Sequence, residues 1–242
     1  MCIDKAKARL NVLFVHRKVN PMIRTTEDWI REYQLKDALW IHDGNPKSPH
    51  ALLTSGKHSN GFFNSRLVIP DEPLLHDAAF DLLELLGNSG EVEGRDVDIV
   101  IGPQTGATKL AELISGQVPD CTGYPCHWAS PAKNEQGGQK SIVFSNEDLR
   151  LLPRRSVLLC EDVLTTGGSV DLTATAVTSA GGIVLPFILV LVNRSGLTEA
   201  SGKKIIALID RPMPMWTPDE CPLCRMGSEA LRPKDNWARL NA

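Results

Sequence analysis

Residues 157–169, VLLCEDVLTTGGS, combine side chains that do chemistry together. An apolar run from Val157 to Cys160 leads into two adjacent carboxylates, Glu161 and Asp162. A turn of hydroxyls and glycines follows: Thr165, Thr166, Gly167, Gly168 and Ser169. The apolar run reads as a buried strand. Glycines in the turn let backbone N–H groups approach a ligand closely. A helix beginning at Ser169 would add its positive end, and the hydroxyls would donate to the remaining oxygens of an anion. The loop is therefore a candidate phosphate cradle. Carboxylates repel phosphate, so Glu161 and Asp162 must face sugar hydroxyls, a metal ion or developing positive charge. Together these groups suit a phosphorylated ribose. The bland reading of the same residues is a strand and a capped helix, with Thr166 or Ser169 as N-cap and two solvated acids. The commoner phosphate motifs G-x-x-x-x-G-K-[ST] and G-x-G-x-x-G are absent.

The elements that must position this motif follow from apolar spacing. Helical patterns are expected over 24–42 (Trp29, Ile30, Tyr33, Leu35 and Leu39 forming the apolar face), 74–87, from the 102–106 turn through Leu113, and 169–180. Strands are expected at 51–54, from Phe62, and at 97–101, 141–144, 157–160, 184–192 and 205–209. Residues 129–140 show no periodicity and read as a polar loop. The alternation predicts an α/β fold, with a mostly parallel central sheet flanked by helices and ligands bound at the carboxyl ends of its strands. The expected organisation is an arm over 1–21, a catalytic domain over 22–210 with a small hood at about 22–70, and a carboxyl-terminal extension over 211–242.

At 242 residues the chain has room for one large domain with such extensions. Hydrophobic residues make up 42% and charged residues 23%, the balance of a globular protein. A net charge of −3 favours neither nucleic acid nor an anionic membrane as partner. No apolar run approaches the ~20 residues needed to span a bilayer. Lys5, Lys7 and Arg9 precede only a short apolar stretch at 12–15, too short for a signal-peptide core. A cytoplasmic protein is expected, with Met22 an alternative start. Cysteines in such a chain are mostly reduced thiols. Cys221-Pro-Leu-Cys224 has metal-knuckle spacing, and a structural zinc there would need two more ligands, for which Cys121 and Cys126 are candidates.

The 157–169 segment resembles the signature of the type I phosphoribosyltransferases. In that family the acidic pair holds the ribose hydroxyls of phosphoribosyl pyrophosphate, and the TTGGS-like loop holds its 5′-phosphate. Gly102-Pro103-Gln104-Thr105-Gly106, between a strand and a helix, is similar in position and kind to the family's pyrophosphate loop. The stretch Ser55-Gly56-Lys57-His58-Ser59, followed by Phe62-Phe63-Asn64, resembles the orotate branch in particular. That resemblance implies a base-binding role for Lys57, Phe62, Phe63 and Arg194. Residues 129–140, ASPAKNEQGGQK, occupy the place of the branch's mobile basic loop, which often closes over a neighbouring subunit's site. Lys133 is the match for its catalytic lysine, with Lys140 second. The loop's early arginine and lysine would fall near Ala129 and Ser130, and its histidine near Glu135. The resemblance further implies Mg²⁺ brought with the substrate and touching Asp162, a homodimer, and the joining of a nucleobase, orotate first, to ribose 5-phosphate with release of pyrophosphate. The alternatives are another base, or a non-catalytic regulator that senses phosphoribosyl pyrophosphate.

Overall fold

The computed structural model describes residues 23–90 and 96–241, and the arm expected over 1–21 lies outside them. The chain begins with helix α1 (Thr26–Leu35) and strand β1 (Leu39–Ile41). A hood follows, made of β2 (His50–Leu52), β3 (His58–Ser59) and β4 (Gly61–Phe63). Helix α2 (Glu72–Asn88), β5 (Ile99–Ile101), α3 (Thr108–Thr122) and β6 (His127–Ala129) begin the central layer. A hairpin, β7 (Ala132–Gln136) and β8 (Gln139–Val143), and a short helix α4 (Asn146–Leu151) lead to β9 (Ser156–Leu164), α5 (Gly168–Ser179) and β10 (Ile183–Asn193). Strands β11 (Glu199–Ala200) and β12 (Lys203–Asp210) complete the main sheet. Strand β13 (Met215–Trp216), α6 (Pro222–Arg225), β14 (Ala230–Leu231) and α7 (Trp237–Leu240) form the carboxyl-terminal part.

The six-stranded main sheet has the order β11-β12-β10-β9-β5-β6, parallel except for the β11 edge. Its central strands are apolar at nearly every position because both faces are covered. Successive residues alternate between two cores. Leu158, Cys160, Leu189 and Leu191 pack with α1, α2 and α3. Val157, Leu159, Ile188 and Val190 pack with Val170, Ala174 and Val177 of α5. Among the described residues no helix is long and apolar enough to cross a membrane.

Two expectations need correction. The first helix does not run through residue 42. Thr25 and Asp28 close a capping box at its start, and it ends at Lys36, followed by Asp37 in the left-handed region at φ 50°. Leu35 is left exposed, and Leu39 instead opens β1, which pairs with β4. Residues 129–140 are likewise not an irregular loop. Ala132 to Val143 form an antiparallel hairpin closed by Gly137 and Gly138, both at positive φ, as a tight two-residue hairpin turn requires. The hairpin lacks a hydrophobic period because most of its residues face solvent on both sides.

The hood and the carboxyl-terminal extension share one four-stranded sheet, ordered β13-β3-β2-β14. Residues 215–231 thus supply both outer strands around a hairpin from residues 50–59. This sheet has its own small core of Trp40, Ala51, Leu53, Leu231 and Leu240, with Phe62, Met215 and Trp237 at its border. Truncating Leu231 to alanine should cost about 2–5 kcal/mol in that core. Hydrogen exchange should then quicken over 50–63 and 215–231 while β9 and β10 keep their protection. A uniform loss of protection along the chain would mean that hood and main sheet unfold as one unit.

Candidate functional site

The acidic pair lies inside β9 rather than after it. Strand β5 pairs with β9 only as far as Leu159, whereas β10 accompanies it to Leu164. From Cys160 onward one edge of β9 has no ladder partner from β5, and the 102–106 loop fills the space. The Asp162 carboxylate packs directly against the Cα of Gly106, so a Cβ at that position would collide with it. Glycine is therefore required by the contact between the two loops.

Ser130 secures the 102–106 loop. Its hydroxyl donates to Gly102 O (2.8 Å), so at the 2.6 Å contact with Thr108 Oγ1 it must accept. Gln104 donates its backbone N–H to Pro131 O (2.9 Å) and its side-chain amide to Ser130 O (3.0 Å). Pro103 is buried, while Gln104 and Thr105 face solvent. Lys109 lies on α3, paired with Glu112 and Glu72 at 3.2 and 3.4 Å.

Helix α5 begins at Gly168, one residue earlier than expected, with Gly167 as N-cap at φ 81°. No side chain caps it, so neither Thr166 nor Ser169 plays the part that the bland reading gave them. The first N–H groups of a helix otherwise lack partners, so this end is open to an anion. Thr165, Thr166 and Ser169 stand around it, half-buried to exposed.

Glu161 is buried, and burial pushes its carboxyl well above the ordinary glutamate range. The neighbouring Asp162 adds to this shift, and Lys133 opposes it from the hairpin, Nζ to Oε1 at 3.7 Å. The second oxygen, Glu161 Oε2, has no hydrogen-bond partner among the described residues. An unpaired buried acceptor beside a second carboxylate suits either sugar hydroxyls or a hard, oxygen-seeking cation.

The four residues expected at the base are not all gathered. Phe63 belongs to the main core, edge-on to Tyr33 at 5.3 Å. Phe62 leans on Trp237 of the extension at 5.9 Å. The aromatic pair is thus split between two cores, because successive residues of a strand point to opposite faces. Lys57 sits half-buried on the turn joining β2 to β3. Arg194 follows β10 and is fully buried, its N–H bonded to Leu164 O at 3.0 Å. Its Nη2 donates to Ser59 Oγ (2.6 Å), and Ser59 in turn donates to Pro214 O (2.7 Å). The Arg194 Nε has no acceptor, and no carboxylate lies within ion-pair distance among the described residues. Burial lowers its pKa to about 10, which leaves it charged at neutral pH.

Cys221 and Cys224 stand apart, beside His50 and His58 on the hood sheet. Cys126 is not near them and packs against the main core. Sequence reasoning missed both histidines as partners of the CPLC segment, and it missed Ser130. Two histidines eight positions apart could have suggested the first pairing, but nothing short of strand pairing brings residues 50–58 to 221–224.

No family model matches the chain. It is similar to the orotate phosphoribosyltransferase of Desulforamulus reducens, 34% identical over 195 residues that cover 81% of this chain and 93% of that protein. The orotate phosphoribosyltransferase of Heliobacterium modesticaldum is 30% identical over 184 residues, covering 76% and 88%. The fold is shared with the solved orotate phosphoribosyltransferases of Mycobacterium tuberculosis, bound to Fe(III) dicitrate, and Aeropyrum pernix. Each gives a TM-score of 0.51, at 21% and 22% identity, over 75% and 74% of this chain and 95% and 91% of theirs.

The raised carboxyl of Glu161 has a consequence for stability. Between the ordinary glutamate range and its raised native value, the folded state holds a proton that the unfolded state has released. Stability is therefore lost as pH rises through that window. Glu161→Gln removes this loss and should melt higher than the parent at neutral pH. For a chain of this size about 1 kcal/mol is roughly 2–4 °C. The gain should shrink below pH 5 in a calorimetric series. A constant gain at every pH would assign it to packing instead.

Proposed function

This chain belongs to the orotate phosphoribosyltransferase family, and on that premise we propose that it joins orotate to the ribose 5-phosphate of phosphoribosyl pyrophosphate and releases pyrophosphate. The base nitrogen forms a bond to C1 of the ribose as the bond from C1 to the pyrophosphate oxygen breaks on the opposite face. Such a displacement passes through a cationic sugar, as in glycoside chemistry. The observation that carries this reading is buried Glu161 beside half-buried Asp162, between two loops rich in N–H groups, with Glu161 Oε2 unpaired.

Each group then has a task. Glu161 and Asp162 offer oxygens to the ribose hydroxyls, and the charge that remains on the pair favours the cationic sugar. Thr165 to Ser169 and the open end of α5 anchor the 5′-phosphate, converting remote binding energy into alignment. The backbone of Gly102 to Gly106 holds the pyrophosphate. Lys133, 3.7 Å from Glu161, exchanges that partner for the leaving pyrophosphate. Asp162 is the carboxylate that would hold Mg²⁺ brought with the substrate, and the ion would supply neutralisation of the leaving charge. Arg194 lacks a negative partner, and the carboxylate of orotate would supply one. Lys57 on the hood turn is the second base-side cation. A homodimer and a cytoplasmic location complete the proposal, and sedimentation of the full chain reads the first of these.

A second reading is a protein that binds phosphoribosyl pyrophosphate as a signal without turning it over. It is favoured by one observation: at the place of two basic family residues stand Ala129 and Ser130, and Ser130 is committed to holding the 102–106 loop.

Pyrophosphate release should be followed with orotate, uracil and purines offered separately. Release with orotate alone is expected. Release with only another base would keep the transfer and move the specificity, and tight precursor binding without release would favour the sensor. Lys133→Ala should lower kcat by about 10²–10³-fold, the range for removing one group that stabilises transition-state charge. Its affinity for the precursor should change far less. A variant with unchanged kcat would remove Lys133 from the mechanism.

A further inference from the structure

His50 opens β2, His58 opens β3, Cys221 is the N-cap of α6 and Cys224 lies within its single turn. One donor atom from each of the four lies within 4.8 Å of the others. His50 Nε2 is 2.9 Å from His58 Nδ1, and the Cys221 and Cys224 sulfurs stand 3.6 and 3.5 Å from the same His50 nitrogen. Cys224 Sγ is 3.2 Å from His58 Nδ1. A tetrahedral zinc ion, with bonds of about 2.0–2.1 Å to nitrogen and 2.3 Å to sulfur, sets its donor atoms roughly 3.3–3.8 Å apart. These four separations stand at or inside that spacing, and the other two lie within 4.8 Å.

Hydrogen bonding alone does not account for the cluster. Ser228 donates its hydroxyl proton to Ser48 O (2.7 Å), so it accepts from His50 Nδ1–H at 2.8 Å. That assignment leaves His50 Nε2 as a bare lone pair. Three groups converge on it: one imidazole nitrogen and two thiols. A single lone pair satisfies one donor well, whereas a cation at the centre satisfies all four groups together. The Ser228 contact is the kind of outer hydrogen bond that fixes the ring orientation of a metal-ligating histidine. His50, His58 and Cys221 are buried, and both sulfurs are free thiols.

We propose that His50, His58, Cys221 and Cys224 bind a structural zinc ion that fastens the carboxyl-terminal extension to the hood. Two imidazoles and two thiolates select zinc over magnesium or calcium. Four protein ligands leave no position for a substrate, so the ion holds structure rather than performing catalysis. Its position explains why so short an extension can order the hood. Strands β13 and β14 are two residues each, and the ion ties the turn between them to the first residues of β2 and β3. Ser59, next to His58, carries the hydrogen bond to Arg194. The site itself does not depend on the reaction proposed above, and its test needs no activity.

The full chain, purified under reducing conditions without added metal, should carry about one zinc per molecule by elemental analysis. Cys224→Ser and His58→Gln should lose it, with circular dichroism showing whether each variant is folded. A second measurement covers variants that do not fold. The parent chain is stripped with a chelator and titrated with Co²⁺. It should develop thiolate charge-transfer absorption in the near ultraviolet and the intense visible bands of a tetrahedral site, and Zn²⁺ should displace both. Its melting temperature should fall on stripping and recover with zinc. Metal-free parent protein that shows no cobalt spectrum and no zinc-dependent melting would overturn the site. So would a disulfide between Cys221 and Cys224 in protein kept under reductant. Full zinc content in folded Cys224→Ser would overturn the ligand assignment.

Discussion

The structure is organised around two adjacent carboxyl groups near the end of a central strand, one buried and one half-buried. Glu161 and Asp162 are adjacent in β9, yet both lie close to other chain segments: Glu161 is buried, and Asp162 is pressed against Gly106. Burying one carboxyl beside another opposes folding unless the neighbouring elements hold them. The two apolar cores supply that hold, since the residues just before the pair, Val157 to Cys160, are locked between α2–α3 on one face and α5 on the other. A site built in this way is preorganised for charge that arrives with the ligand.

Much of this was legible in the sequence, and the reason is local. A run of four apolar residues, two acids and a hydroxyl–glycine turn are contiguous, and a strand–turn–helix needs nothing beyond nearest neighbours to be read. The alternation of strands and helices gave the parallel sheet in the same way. What failed depended on distant partners or on a faint local signal. Phe62 and Phe63 look alike in the chain, but strand alternation sends one to the main core and the other to Trp237, 175 positions away in the chain. Leu39 fits a helical period and is claimed by β4 instead. The Gly137-Gly138 turn was a local signal of a hairpin, outweighed by the polarity of the segment around it.

The hood shows how a small sheet is made stable by segments that come from opposite ends of the chain. Its core holds few residues, and its strands are two or three residues long. A sheet this small is marginal without added staples. The histidine–cysteine cluster and the Ser59 hydroxyl shared between Arg194 and Pro214 join the hood hairpin to chain outside it, and the Trp237 indole N–H, bonded to Asp37 O at 3.1 Å, ties the extension to the segment before the hood. The extension thus completes the hood sheet and is joined through Ser59 to the buried Arg194.

The same logic bears on the shortage of positive charge around the pyrophosphate. Where two basic side chains would be expected by resemblance, the chain has Ala129 and Ser130, and Lys109 is occupied on α3 by two glutamates. Lys133 is paired with Glu161 at 3.7 Å and opposes the rise that burial and Asp162 impose on its carboxyl. If Lys133 moves to the leaving group, that opposition is lost and Glu161 holds its proton more tightly. The half-buried Asp162 beside it then faces the developing ribosyl cation. Departure of pyrophosphate and the protonation of Glu161 would thereby be coupled through one lysine, a coupling that a loop dense in fixed cations would not provide.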